Sequence, residues 1–345
     1  MAVMIIQTAS YPWLLLLAVV LGVCCTYALS LITHSTGNHL PHAVNPGLAS
    51  LPVESRARQI YPEDWVEGGA YVSLPMGRVR YWLVGPASGR RLTLIPGLTY
   101  PALVFAGLLP ILIAANYQVL VFDLYGRGYS DAPHGVPYDA QLYVTQIALL
   151  LQHIGWEKTH VVGWSFGGAI GAAFISRFPE LVERDVILIA SAGAIDSVYL
   201  ARLRSLPFVE SIFLLMLKML RSKPKSDLEE IVQLQHQHLP GFRRALHSTL
   251  RSRLVSDTKS SFDSASWKGR RVVLLRGSAD DLARPDEMKA LFSMNPAHKP
   301  AHVTIVNIYG AAHDIVHAHP EAVGAAIRTF WGDQVWVWRS KYEKI

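Results

Sequence analysis

Cysteine is almost missing from this chain of 345 residues: the only two, Cys24 and Cys25, are adjacent and lie in an apolar N-terminal stretch. They cannot staple the globular part, so a disulfide framework is excluded there and the redox compartment stays undetermined. Lys, Arg, Asp and Glu are absent from residues 1–53. No zinc-type spacing and no RNA-binding motif occurs, so the net charge of +6 is not read as a nucleic-acid footprint. Charged residues make up only 17% of the chain against 51% hydrophobic ones, which permits a sizeable core. The length suits one large α/β domain with extra segments, or two small domains.

Within the uncharged N-terminus, residues 12–32 (PWLLLLAVVLGVCCTYALSLI) are long enough to span a bilayer, since roughly 20 apolar residues cross the hydrocarbon. A single-pass anchor over residues 1–33 is the expectation. Two alternatives stay open. A signal peptide could be cleaved near Ala28, Leu29 and Ser30 to give a secreted protein, although a basic n-region is missing. An all-round apolar helix can also be internal. Residues 34–69, rich in His, Pro, Gly and Ser, read as a linker. The positive charge is local: residues 201–260 hold eleven basic and five acidic side chains, which accounts for the whole excess. Such a patch suits an anionic surface.

From residue 70 onward the pattern alternates. Residues 71–84 predict a β-hairpin about Met76 and Gly77, and residues 91–95, 118–123, 160–162, 185–190, 271–276 and 302–308 predict strands. Residues 102–115 and 140–154 predict helices. Strands alternating with helices imply a mostly parallel sheet covered on both faces, with ligands at the carboxyl ends of its strands. The rhythm divides the globular part into a core over 70–194, an insertion over 195–265 and a second core part over 266–345. The insertion is helical in pattern and basic, and reads as a cap. Its stretch 207–220 (PFVESIFLLMLKML) is strongly apolar and is followed by Arg221, Lys223 and Lys225. Two readings of this stretch stand side by side: cap helices on the core with a solvated basic rim, or a face that touches lipid headgroups and admits an apolar substrate.

The stretch HVVGWSFGGAIGAA, residues 160–173, carries the chemistry. A short apolar strand runs into Gly163, Trp164, Ser165, Phe166 and Gly167, and then into a helix rich in small residues. A serine at such a turn is held in a strained backbone that exposes its hydroxyl, and the helix N-terminus aims free N–H groups where an oxyanion forms. The hydroxyl needs a base, and the base needs a third group to fix its tautomer. Where this elbow occurs, the chain order is serine, acid, histidine. The strand 271–276 is followed by Asp280 and Asp281; Asp280 is the preferred acid, with Asp281 as the alternative. Among fourteen histidines, His313 follows the strand 302–308 through small residues and is the candidate base. His317 and His319 read as surface residues, and His298 and His302 fall at the wrong sheet edge. The backbone N–H groups of Phe166 and Leu98 are the candidate oxyanion donors.

From residue 71 to about 332 the chain resembles the α/β-hydrolase fold family, in the broad group of cap-bearing serine hydrolases that includes monoacylglycerol-lipase-like enzymes. The resemblance rests on Gly163 to Gly168, on DLYGRGYSD beginning at Asp123, on the Gly277 to Asp280 turn and on the Gly310 to His313 loop. Together with the apolar N-terminal run and the missing nucleic-acid motifs, it implies a membrane-anchored serine hydrolase of esters, with lipid-like or apolar acyl groups favoured, a small-molecule or lipid ester as its partner, and no cofactor, nucleic acid or obligate protein partner. A same-triad acyltransferase, a C–C hydrolase or a non-catalytic binding protein of the same fold are the alternatives. The resemblance also implies a structural role for Asp123, Arg127 and Ser130 as ties between loops. Two departures matter: Pro96-Gly97 stands where the family usually has His-Gly, which puts the oxyanion loop in question, and Trp164 stands where it often has His.

Overall fold

The computed structural model describes residues 44–192, 226–252, 259–282, 291–292 and 296–332. The chain divides into two units, Met1–Pro41 and His42–Ile345, and every described residue belongs to the second. The apolar run 12–32 and the stretch 207–220 lie outside the described residues. Among the described residues no helix is long and apolar enough to cross a membrane.

Eight strands form the central sheet: β2 (Gly69–Leu74), β3 (Gly77–Val84), β4 (Arg90–Ile95), β5 (Tyr117–Phe122), β7 (Thr159–Trp164), β8 (Val182–Ile189), β9 (Arg271–Gly277) and β10 (His302–Ile308). Their order is β10-β9-β8-β7-β4-β5-β3-β2. All neighbours from β10 to β5 are parallel, and β3 and β2 close the edge as an antiparallel hairpin. A separate two-stranded ribbon joins β1 (Val44–Asn45) to β6 (Ala132–Pro133). The central strands are buried on both faces, so they appear in the sequence as apolar runs; every residue of β5 is buried.

Seven helices position the site: α1 (Arg56–Ile60), α2 (Leu109–Ala114), α3 (Ala140–His153), α4 (Phe166–Arg177), α5 (Asp227–His238), α6 (Pro240–Arg251) and α7 (Pro320–Phe330). Asp139 starts α3 by accepting the Leu142 N–H, and Ser226 starts α5 by accepting the Glu229 N–H. α3 packs on α4, and α2 packs on α7.

Three expectations need correction. The helix expected over 102–115 is broken into a 3₁₀ turn, Ala102–Phe105, and α2. Pro110 lacks the N–H a continuous helix would use and instead suits the first turn of a new one. Residues 44–69 are not a free linker: Leu48, Ala57 and Tyr61 are fully buried, and the Tyr61 hydroxyl donates to Asp123. Their apolar residues are irregularly spaced among turn formers, so no period betrayed them. His317 is not a free surface residue either; its ring is half-buried and faces Tyr100, with centroids 6.5 Å apart.

The described part of the insertion places α5 and α6 against the loops that leave β4 and β5. Gln235 of α5 bonds the Thr99 carbonyl and the Gly128 N–H. Thr249 of α6 bonds Arg127 and Tyr143. Arg56 of α1 reaches α5 through Asp227 and Glu230, an exposed contact of little energetic weight.

Candidate active site

β7 is buried between β4 and β8, and its last residue delivers the chain to Ser165. Ser165 has φ 54° and ψ −119°, a region non-glycine residues rarely occupy. The surrounding backbone enforces it. The Ser165 N–H donates to the Ile189 carbonyl at 2.8 Å, and its own carbonyl accepts from Gly168 and Ala192, each at 2.9 Å. A Cβ on Gly167 would stand 2.1 Å from the Ile95 carbonyl oxygen, so only glycine lets α4 start this close to the end of β4.

The Ser165 Oγ lies 2.8 Å from His313 Nε2, and His313 Nδ1 lies 3.0 Å from Asp280 Oδ2. The Asp280 side chain is wholly buried, while the His313 side chain is 30% exposed. Asp281 is exposed, so the choice between the two acids falls on Asp280.

Two loops on neighbouring parallel strands hold the acid and the base together. The Ser278 N–H donates to the Ile308 carbonyl, Ala279 donates to the Ala311 carbonyl, and the Gly310 N–H reaches Ser278 Oγ. A Cβ on Gly277 would meet the Ala311 carbonyl oxygen at 2.1 Å. The loops after β9 and β10 are thus stitched backbone to backbone, and the other Asp280 oxygen, Oδ1, accepts the Leu282 N–H at 2.9 Å.

The candidate oxyanion loop follows β4. The candidate donors lie in the loop after β4 (Leu98) and at the first residue of α4 (Phe166), and neither backbone N–H has a hydrogen-bond partner among the described residues. The two departures from the family pattern meet here. The Trp164 ring occupies the space a Cβ on Gly97 would need, 2.9 Å away, and its indole N–H donates to the His313 carbonyl at 3.1 Å. Trp164 also packs on Tyr100 and on the His313 ring, with centroids 5.2 and 6.0 Å apart. Trp164 therefore braces both the loop after β4 and the histidine loop.

Asp123, Arg127 and Ser130 do tie loops. Asp123 is fully buried and accepts from the Ala102 and Tyr129 N–H groups and from the Tyr61 hydroxyl. Burial pushes its carboxyl up to about 7, against the pull of those donors. Ser130 Oγ donates to the Asp123 carbonyl. Arg127 is fully buried, and its Nε donates to the Leu98 carbonyl at 3.1 Å. The sequence reading missed Tyr100, Tyr143, Gln235 and Thr249 as neighbours of the site. Gln235 did leave a signal: it sits four residues from both Ile231 and Leu239, on the apolar stripe of α5, and a polar residue buried there requires partners.

A family model described as alpha/beta hydrolase fold matches residues 91–273, more than half of the chain. Over 76 residues the chain is 34% identical to the 2-hydroxy-6-oxo-2,4-heptadienoate hydrolase of Pseudomonas putida, a match covering 22% of this chain and 28% of that protein. Over 119 residues it is 31% identical to the serine hydrolase-like protein of Homo sapiens, covering 34% and 58% respectively. The chain thus spans less than two thirds of the length of these relatives. The crystal structure of a hydrolase from Pseudomonas aeruginosa PA01 is similar with a TM-score of 0.59 at 18% identity, over 77% of this chain and 99% of that one, a likeness of fold alone.

Proposed function

The chain belongs to the alpha/beta hydrolase fold family, and on that premise we propose that it is a serine hydrolase of carboxylic esters. The observation that carries this reading is the contiguous line Ser165 Oγ, His313 Nε2, His313 Nδ1, Asp280 Oδ2, with links of 2.8 and 3.0 Å. In this reading Ser165 attacks the substrate carbonyl while His313 takes its proton. Asp280 keeps Nδ1 protonated, so that Nε2 is free to act as the base, and then balances the imidazolium. The Leu98 and Phe166 N–H groups stabilise the oxyanion. The tetrahedral intermediate collapses as His313 protonates the leaving alcohol, and water activated by His313 then releases the acid from the acyl-enzyme. Ser165→Ala should abolish turnover of a short p-nitrophenyl ester in a folded variant, and unchanged turnover would end the reading.

Partial similarity to a 2-hydroxy-6-oxo-2,4-heptadienoate hydrolase favours a second reading, C–C bond hydrolysis by the same residues. Product analysis with an ester and a vinylogous diketone separates the two. The apolar run 12–32 suggests membrane anchoring, and the apolar stretch 207–220 with Arg221, Lys223 and Lys225 after it suggests lipid-like substrates. Loss of the chain from the membrane fraction when residues 1–33 are deleted tests the first. Higher activity on emulsified glycerides than on soluble short esters tests the second.

A further inference from the structure

Two consecutive carbonyls of the oxyanion loop are held from the cap side. The Leu98 carbonyl accepts from Arg127 Nε at 3.1 Å, and the Thr99 carbonyl accepts from Gln235 Nε2 at 3.4 Å. Gln235 belongs to α5, and its Oε1 also takes the Gly128 N–H at 2.6 Å. Arg127 is in turn fixed from both sides: Nη2 meets Thr249 Oγ1 of α6 at 3.4 Å, and Nη1 meets two core groups, the Tyr125 carbonyl at 3.0 Å and the Tyr143 hydroxyl at 2.8 Å. The Tyr143 hydroxyl and Thr249 Oγ1 are themselves 2.8 Å apart. The Tyr143 ring then stands edge-on to Phe166, centroids 5.7 Å apart. Arg127, Tyr143, Gln235 and Thr249 are all fully buried.

From these contacts we infer that α5 and α6 set the geometry of the oxyanion hole, with Gln235 and Thr249 as positioning residues. The inference rests on the serine-hydrolase reading above. An oxyanion donor works only when its N–H is already aimed at the developing charge. The Leu98 N–H lies in the peptide unit 97–98, directly before the two units whose carbonyls are clamped, so those contacts fix the chain on one side of the donor while Trp164 packs against Gly97 on the other. Phe166, the other donor, is braced by Tyr143 in the same network. Proline at position 96 leaves this loop without the histidine that the family usually has there, and Trp164, Arg127 and the cap residue Gln235 hold it instead. The Arg127 guanidinium is held by carbonyl and hydroxyl oxygens and lies over the Tyr143 ring, 5.7 Å from its centroid.

The test uses the full chain with Gln235→Met and Thr249→Val, each nearly isosteric, and Val323→Ala in α7 as a destabilised control away from the cap. Three quantities are read well below each unfolding midpoint: kcat and KM on a short p-nitrophenyl ester, and the rate of fluorophosphonate labelling at Ser165. The expected result is a fall in kcat and labelling rate of about tenfold or more in both cap variants, with KM within about twofold. The double variant should be little worse than the poorer single one, because both act through one loop. A kcat and labelling rate like those of Val323→Ala, with only the unfolding midpoint lowered, would overturn the coupling; so would a rise in KM alone. If the unsubstituted chain is neither labelled nor active, the serine reading fails and the coupling fails with it. If Ser165→Ala is dead and the cap variants are not, the coupling alone fails.

Discussion

Replacing Asp280 by Asn probes the site more sharply than deleting it, because the two Asp280 oxygens have separate duties. Oδ1 accepts the Leu282 backbone N–H at 2.9 Å, and Oδ2 faces His313 Nδ1 at 3.0 Å. Asn has one acceptor and one donor at the same two places. The Leu282 N–H is fixed by the chain and must keep the oxygen, which turns the amide nitrogen toward Nδ1. His313 then takes the tautomer with its proton on Nε2, pointing at Ser165, and cannot remove the serine proton. With the geometry intact and only the tautomer wrong, kcat should fall by about 10⁴-fold at neutral pH. The side chain is wholly buried, so no water can take over its role. The assay is p-nitrophenyl ester hydrolysis across pH 6–10, with circular dichroism to confirm the fold. Asp281→Asn serves as the comparison and should remain within about threefold, since Asp281 is exposed and has no part in the line to Ser165. A kcat for Asp280→Asn within about tenfold of the parent, or a larger loss in Asp281→Asn, would refute the assignment of the acid.

Two further outcomes follow from the packing. Gly167→Ala places a Cβ 2.1 Å from the Ile95 carbonyl oxygen and 2.7 Å from that of Pro96, both backbone atoms that cannot swing away. Overpacking of this kind costs about 1–3 kcal/mol, and because the displaced carbonyls adjoin the oxyanion loop, kcat should fall together with the melting temperature. An unchanged kcat would show that the loop absorbs the shift. Asp123 sets a pH dependence of stability. Burial raises its folded value from 3.8 to about 7, so the folded state holds the proton more tightly than the unfolded chain. Its contribution is full below pH 3.8 and is lost as pH rises toward 7, by at most about 1.4 kcal/mol per pH unit. Asp123→Asn removes that slope, so its stability relative to the parent should rise between pH 4 and 7 in denaturant titrations. A constant difference across that range would mean that Asp123 is charged throughout.

Local pattern determined much of this molecule. The alternation of apolar runs with helical stretches dictated a mostly parallel sheet, because strands buried on both faces must be apolar throughout. The glycines around Ser165 dictated a tight strand-to-helix turn, and their need is visible in contacts of close to 2 Å that any Cβ would make. Asp280 and His313 were legible because each follows a strand at the same sheet edge. Tertiary structure alone decided the rest. Asp280 and Asp281 are adjacent in sequence and equal in chemistry; only the stitching of the β9 and β10 loops buries one against His313 and leaves the other in water. Residues 44–69 looked like a linker because their buried residues answer to β6 and Asp123, far along the chain, rather than to a local period. Gln235 and Arg127 meet at the loop after β4, with Thr249 behind Arg127, although both cap residues lie more than a hundred positions from Arg127; hydrogen bonds of that range leave no spacing to read. Periodicity records which face of an element is apolar; which polar groups then meet is settled by how those elements stack.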